Sequence, residues 1–253
     1  MSLLMTVSSY TLIILIVLII GALALISLRL RLFSHALRVE RKKSIEMLRQ
    51  LSWLSELDEK EFKRVARRFR IRIFPQGAKL LKEQEPDNGL FMIVAGEVKI
   101  EIRDILMGTA EAGSVLGEMA FLTGHPRTAS VVAESRVQVL WIQRVALRSI
   151  MKKSPQLENG LWEFASMRFA MNLLGSKEPF SLWEQKRFIQ WLSAGEIKLP
   201  NENGWLDLEG KIGVLVIGTA AQHDGSVVVK APCSLTGTDY IFSKEARVFL
   251  RDP

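Results

Sequence analysis

The stretch LGEMAFLTGHPRTASVVA occupies residues 116–133. Eleven of its eighteen residues are Ala, Val, Leu, Met, Phe or Gly, yet it keeps one acid, Glu118, and one arginine, Arg127, nine positions apart. Such a pair either closes a loop as an ion pair or forms the two sides of a ligand cradle. A Gly-Glu step that opens a short helix offers free backbone N–H groups to an anion, but a carboxylate beside a phosphate repels it. The conflict disappears if Glu118 accepts hydrogen bonds from sugar hydroxyls while Arg127 presents its fork of donors to the phosphate. One acid, one arginine and a helix start therefore suit a ribose phosphate better than a bare phosphate. The small residues Gly117, Ala120 and Ala129 let a ligand approach the backbone.

Outward from this stretch, short apolar runs alternate with turn residues. IRIF (71–74) is followed by Pro-Gln-Gly, and KLLKE (79–83) leads to Pro-Asp-Asn-Gly. LFMIV (90–94) precedes Ala-Gly, and EVKIEI (97–102) runs into a polar bend at Arg103-Asp104. TASVVA and RVQVLWI resume the pattern after a helical insert at 117–122. Strands of this length and spacing predict an antiparallel barrel or sandwich. Upstream, Asp58 and Glu61 have capping-box spacing and open a helix over EKEFKRVARRF. Downstream, Ala146–Leu174 reads as helix, broken at Pro155 because proline removes a helical hydrogen bond.

With these residues in place, the sequence resembles the cyclic nucleotide-binding domain family over roughly residues 50–174. The family's phosphate-binding cassette appears as Gly117-Glu118-Met119-Ala120 and Pro126-Arg127-Thr128-Ala129-Ser130-Val131. Upstream, FPQGAKLLKEQEPDNGLFMIVAGEVKI carries the family's turn glycine, Gly77, and its Ala-Gly-Glu hairpin at Gly96. The resemblance implies that Glu118 holds a ribose 2′-hydroxyl and Arg127 the cyclic phosphate, with Gly117 and Ala120 lending backbone N–H groups. Met119, Thr128 and Ala129 complete the ligand-binding set. Thr128 stands where members that favour cGMP often carry threonine, and the helix around Trp162–Leu174 would cover the base. Leu116 departs from the aromatic usual before Gly-Glu, which alters packing more than chemistry. The ligand expected is cAMP or cGMP, with no further cofactor.

The N-terminal region decides location. No charged residue occurs from Ser2 to Leu28, and TLIILIVLIIGALALISL (11–28) is nearly all aliphatic. Eighteen helical residues rise ~27 Å, close to the ~30 Å hydrocarbon core. A cleaved signal peptide fits less well, because its basic start is missing and the apolar run is long. Residues 29–50 carry seven Arg or Lys against two Glu. That bias predicts a single-pass membrane protein with its N-terminus outside and its later domains cytoplasmic. One cysteine, Cys233, is consistent with a reducing compartment. The formal charge is +7, and a second basic block, Lys63 to Lys82, has eight cations and no acid. Its readings are a solvated helix face or attraction to anionic headgroups. No nucleic-acid recognition motif accompanies the charge, so nucleic acid is not expected.

The last eighty residues lack the paired amphipathic helices of a DNA-binding module. After helical text ending near Ser193 they read as strands: EIKLP, GWLDLEG, KIGVLVIG, SVVVK and ARVFLRD. Ile197–Pro200 corresponds to Ile71–Pro75, Gly213–Gly218 to Leu90–Ala95, and Glu245–Val248 to Glu134–Val137. This tail reads either as a second, shrunken copy of the barrel or as an unrelated small β-domain. In the first case Leu235–Glu245 is too short to hold a cassette. His35, His125 and His223 are scattered and no nucleophile has an evident base, so no enzyme is expected.

The expected fold class is α+β, mainly β. A tail (1–10) precedes a transmembrane helix (11–29) and a basic juxtamembrane stalk (30–54). An antiparallel β-roll (jelly-roll) cyclic nucleotide-binding domain with flanking helices (55–174) and a small second β-domain (175–253) follow. The function expected is a membrane-anchored cytoplasmic cyclic nucleotide sensor or regulatory subunit, held by membrane lipids around its first helix. It would signal to a membrane protein partner or act as a homo-oligomer. The alternative is a ligand-free structural or assembly subunit of a membrane complex.

Overall fold

The structure is a computed structural model that describes residues 2–253 except Asp224, Ser226, Thr238 and Asp239; the side chains of 2–19 and 33–38, His35 among them, lie outside the described residues. The chain divides into two compact units, Met1–Met47 and Leu48–Pro253. Helix α1 spans Ser2–Arg49. Its sequence contains no proline, and Arg49 in the last turn complements the negative end of the helix dipole. In the expected membrane span (11–29), the side chains of 11–19 lie outside the described residues. Among the described residues no helix is long and apolar enough to cross a membrane.

The second unit opens with α2 (Ser52–Ser55) and α3 (Glu59–Ala66). Asp58 caps α3, its side chain accepting the Glu61 N–H at 2.7 Å. Strands β1 (Arg70–Phe74), β2 (Lys79–Leu81), β3 (Gly89–Ala95), β4 (Val98–Ile102), β5 (Ile105–Ala110) and β6 (Val115–Leu116) follow. Helix α4 (Glu118–Thr123) then separates β6 from β7 (Ser130–Ala133) and β8 (Val137–Gln143). Two antiparallel sheets result, ordered β1-β8-β3-β6 and β2-β7-β4-β5. Phe91, Ile93, Val98, Leu116, Val131 and Val139 fill the core of this β-roll. β5 was not expected from the sequence. It forms because Arg103 (φ 51°) and Asp104 (φ 61°) both take the left-handed conformation that a two-residue hairpin turn requires.

Helix α5 (Arg144–Met151) precedes α6 (Pro155–Leu174), which has Pro155 in its first turn, where a missing N–H costs nothing. Along α6 the buried residues fall in two rows of four-residue spacing, Leu157-Leu161-Ala165-Phe169 and Trp162-Ser166-Ala170-Leu174. A helix buried along two adjacent rows is covered on more than one side.

After a 3₁₀ turn (Phe180–Leu182) and α7 (Gln185–Ser193) come β9 (Glu196–Lys198), β10 (Ile212–Ile217), β11 (Thr219–Gln222), β12 (Val228–Lys230), β13 (Cys233–Leu235), β14 (Tyr240–Phe242) and β15 (Arg247–Arg251). Their sheets run β13-β10-β15-β9 and β12-β11-β14. Read from β9, the first gives β9-β15-β10-β13, which matches β1-β8-β3-β6 strand for strand. The second matches β5-β4-β7, with a single bridge from Trp205 to Ile241 standing where β2 pairs with β7. GWLDLEG therefore supplies a bridge, where the sequence suggested a strand. The hairpin glycines correspond too: Gly96 has φ 89° and Gly218 φ 91°. After each, a serine hydroxyl accepts the next N–H, Ser135 from Glu97 at 3.1 Å and Ser243 from Thr219 at 3.0 Å. Residues 117–129 separate β6 from β7, whereas only residues 236–239 separate β13 from β14.

Candidate functional site

The chain leaves β6 at Leu116 and must turn sharply into α4. Gly117 does this at φ 87°, and a Cβ there would lie 2.3 Å from Arg127 Nη1. Both the backbone angle and the approaching guanidinium thus demand glycine. The first N–H bonded to a carbonyl of this turn is that of Phe121, which donates to Gly117 O at 3.1 Å. The N–H groups of Glu118, Met119 and Ala120 therefore have no helical acceptor. α4 ends at Gly124, also left-handed (φ 75°). Backbone bonds then pin Arg127 from both sides: its N–H donates to Glu85 O and its carbonyl accepts from Gln84 N–H, each at 2.9 Å.

These elements enclose a cavity of about 420 Å³, within the range of small-molecule sites. All seven expected residues line it: Gly117, Glu118, Met119, Ala120, Arg127, Thr128 and Ala129. Leu81, Ile100, Ile102 and Val131 supply apolar wall, and Arg168 and Asn172 reach it from α6. Thr128 is exposed at the rim. His125 is exposed and is not part of the lining.

Glu118 and Arg127 have different partners. Arg127, 3 % exposed, pairs with Asp87 Oδ1 at 2.8 Å and donates to Asn88 Oδ1 (2.9 Å), Gly89 O (2.7 Å) and Gly117 O (2.9 Å). These contacts use Nη1 and Nη2; among the described residues Nε–H has no acceptor. Burial lowers the Arg127 pKa, an effect opposed by the carboxylates of Asp87 and Glu118 and reinforced by Arg144. Asp87 also holds Arg144 at 2.5 Å and caps the Gly89 N–H at 2.9 Å. One turn along α5, Arg148 donates to Phe121 O at 2.6 Å, at the end of α4. Glu118, 2 % exposed, faces Arg168 Nε at 3.3 Å. Arg168 also donates through Nη1 to Val115 O, and Asn172 Nδ2 lies 3.9 Å from Met119 Sδ. The cavity thus offers a buried carboxylate for hydroxyl donors on one side, and free N–H groups with a guanidinium for an anion on the other.

Residues 71–154 match the family described as the cyclic nucleotide-binding domain. This segment is a cyclic nucleotide-binding domain. Human cGMP-dependent protein kinase 2 is 27 % identical over 174 residues, 69 % of this chain and 22 % of that protein. A cGMP-dependent protein kinase of Caenorhabditis elegans is 37 % identical over 91 residues, 34 % of this chain and 12 % of that protein. A cyclic nucleotide-gated potassium channel of Rhizobium etli is 34 % identical over 95 residues, 37 % of this chain and 26 % of that protein. The chain therefore spans about a quarter or less of these relatives. Among solved structures, the regulatory domain of Toxoplasma gondii PKA with cAMP is similar at TM-score 0.45 and 16 % identity, over 84 % of this chain and 89 % of that one.

In and around the cavity, sequence reasoning missed Asp87, Asn88, Arg144, Arg148 and Arg168. Asp87 and Asn88 were visible only as turn formers in Pro-Asp-Asn-Gly. Arg148 and Arg168 sit in helical text and Arg144 just before it, and their spacing carries no trace of what they meet across the fold.

Proposed function

We propose that this chain is a membrane-anchored sensor whose cyclic nucleotide-binding domain takes up cAMP or cGMP in the cytoplasm and reports occupancy to a membrane partner. The observation that carries this reading is the cavity lined together by Glu118, Arg127 and the other five cassette residues. In it Glu118 would accept the ribose hydroxyl, while Arg127 and the N–H groups of Met119 and Ala120 would receive the cyclic phosphate. The names of the relatives, cGMP-dependent kinases and a cyclic nucleotide-gated channel, support the same ligand class.

The route out of the site would be α6. Its Arg168 faces Glu118, while Trp162 carries the Arg247 guanidinium of β15 at 4.6 Å over its ring. We read residues 175–253 as a degenerate copy of the same β-roll. Strand order, hairpin glycines and capping serines support this, and the short link between β13 and β14 leaves no room for a cassette. The copy would serve as the surface against which α6 moves, without chemistry of its own. The anchor reading rests on the apolar run 11–28 and on Ile20, Leu23, Leu25, Leu30 and Leu32, all more than half exposed on α1. A ligand-free assembly subunit is the second reading, favoured by one observation: Arg127 already has four protein acceptors.

Thermal unfolding of the detergent-solubilised full chain tests the sensor. Ligand at 100 times its Kd adds ~2.7 kcal/mol of stability, so cAMP or cGMP should raise Tm by several degrees. No shift with either at millimolar concentration would favour the assembly subunit. Retention in the membrane pellet after alkaline carbonate extraction tests the anchor, and release into the supernatant would refute it.

A further inference from the structure

We propose that Lys60, Lys63, Arg64, Arg67 and Arg68 form a second binding site, separate from the nucleotide cavity, for a multiply phosphorylated anion. These five side chains alone line an open concavity of about 370 Å³ on the outer face of α3. Phe62, Val65 and Ala66 bury the opposite face, and turn bonds from Arg68 N–H to Val65 O and Phe69 N–H to Ala66 O carry the helical path onward. Four-residue spacing thus stacks 60, 64 and 68 in one row and 63 and 67 in the next.

A solvated helix face ordinarily mixes signs, because opposite charges four apart stabilise the helix and like charges weaken it by a similar amount. Here three such neighbours, 60/64, 64/68 and 63/67, are all like-charged. Cations at a helix C-terminus complement the dipole, as Lys63 and Arg64 do in the last turn of α3, but that effect fades within the last turn and leaves Lys60 unexplained. Neutralisation is almost wholly missing. Lys63 reaches Glu59 at 3.0 Å, and that carboxylate is shared with Arg49. The side chains of Lys60, Arg64, Arg67 and Arg68 have no ion pair, hydrogen bond or ring contact among the described residues. Nearby arginines do: Arg49 lies over Phe62 at 4.0 Å and Arg72 over Trp141 at 3.5 Å. Five cations held in one concavity, four of them without a counter-charge, fit an anion of several phosphate groups, to which guanidinium forks bind in bidentate fashion. A phosphorylated lipid headgroup and a soluble polyphosphate share this chemistry.

The test uses the full chain in detergent, with tripolyphosphate as titrant in a calorimeter. Binding is expected, and Arg64→Gln/Arg67→Gln/Arg68→Gln should weaken it by about tenfold or more. The control Lys152→Gln/Lys153→Gln/Lys244→Gln removes the same charge from exposed positions elsewhere and should leave binding within about twofold. In a second arm, amide exchange of residues 59–72 is followed in neutral phosphatidylcholine vesicles with and without phosphatidylinositol 4,5-bisphosphate. Protection by the lipid that is lost in the arginine variant assigns a headgroup; tripolyphosphate binding without lipid protection assigns a soluble anion. The proposal is overturned by absence of binding in both arms, or by equal weakening in the control variant.

Discussion

Asp87→Asn removes the charge that holds Arg127 in place. The Asp87 side chain is 1 % exposed and sits between Arg127, 3 % exposed, and Arg144, 32 % exposed. Taking one partner from a buried ion pair costs ~3–5 kcal/mol, because the other charge stays buried and uncompensated. Asparagine keeps the shape and one acceptor oxygen, which limits the loss. Arg144 is solvated enough to add only ~0–1 kcal/mol. The expected destabilisation is therefore about 3 kcal/mol, or a Tm lower by ~6–12 °C for a domain of this size. Urea unfolding followed by tryptophan fluorescence reports on the correct part of the chain, since all six tryptophans lie between residues 53 and 205. Nucleotide affinity should fall as well, as Arg127 loses its fixed direction. A loss below ~1 kcal/mol with unchanged nucleotide binding would refute the claim that Asp87 positions Arg127.

Other substitutions probe different parts of the account. Gly117→Ala places a Cβ against Arg127 at a left-handed angle; it should cost ~1–3 kcal/mol in urea unfolding and abolish nucleotide binding. Arg247→Ala removes the cation over Trp162 and should cost about 1 kcal/mol. If residues 175–253 back α6, it should also speed amide exchange along Pro155–Leu174. Cys233 is partly buried and its thiol pKa is raised by burial, with Lys177 opposing. It should hold less thiolate than a free cysteine at pH 8, so disulfide-exchange labelling should be slower than for a model thiol and should accelerate up to higher pH.

The cassette was legible because its chemistry is local: Gly117, Glu118, Ala120 and Arg127 lie within one short stretch, and their residue types are unusual in apolar text. The alternating runs gave β3, β4, β7 and β8 for the same reason, since each carries buried apolar residues; β1, with Ile71 and Phe74 only half-buried, was marked by its β-branched residues and the Pro-Gln-Gly turn after it. β5 was hidden because Ile105, Leu106 and Met107 follow two residues that look like a bend and are themselves exposed. β11, β13 and β14 were hidden by brevity, at three or four residues each. The partners of the two charges were illegible for a different reason. Arg168 stands 50 positions from Glu118, and Asp87 stands 40 from Arg127; only the folded sheet brings them together. The sequence posed Glu118 and Arg127 as a pair, and the structure separates them, giving each a counter-charge from another element.

Calorimetric titration of the detergent-solubilised full chain with cAMP and with cGMP tests the central claim most directly. The account predicts saturable heat with at least one nucleotide, at one site per chain, and its loss in Arg127→Ala. No heat up to millimolar nucleotide, or heat that survives in Arg127→Ala, would contradict it.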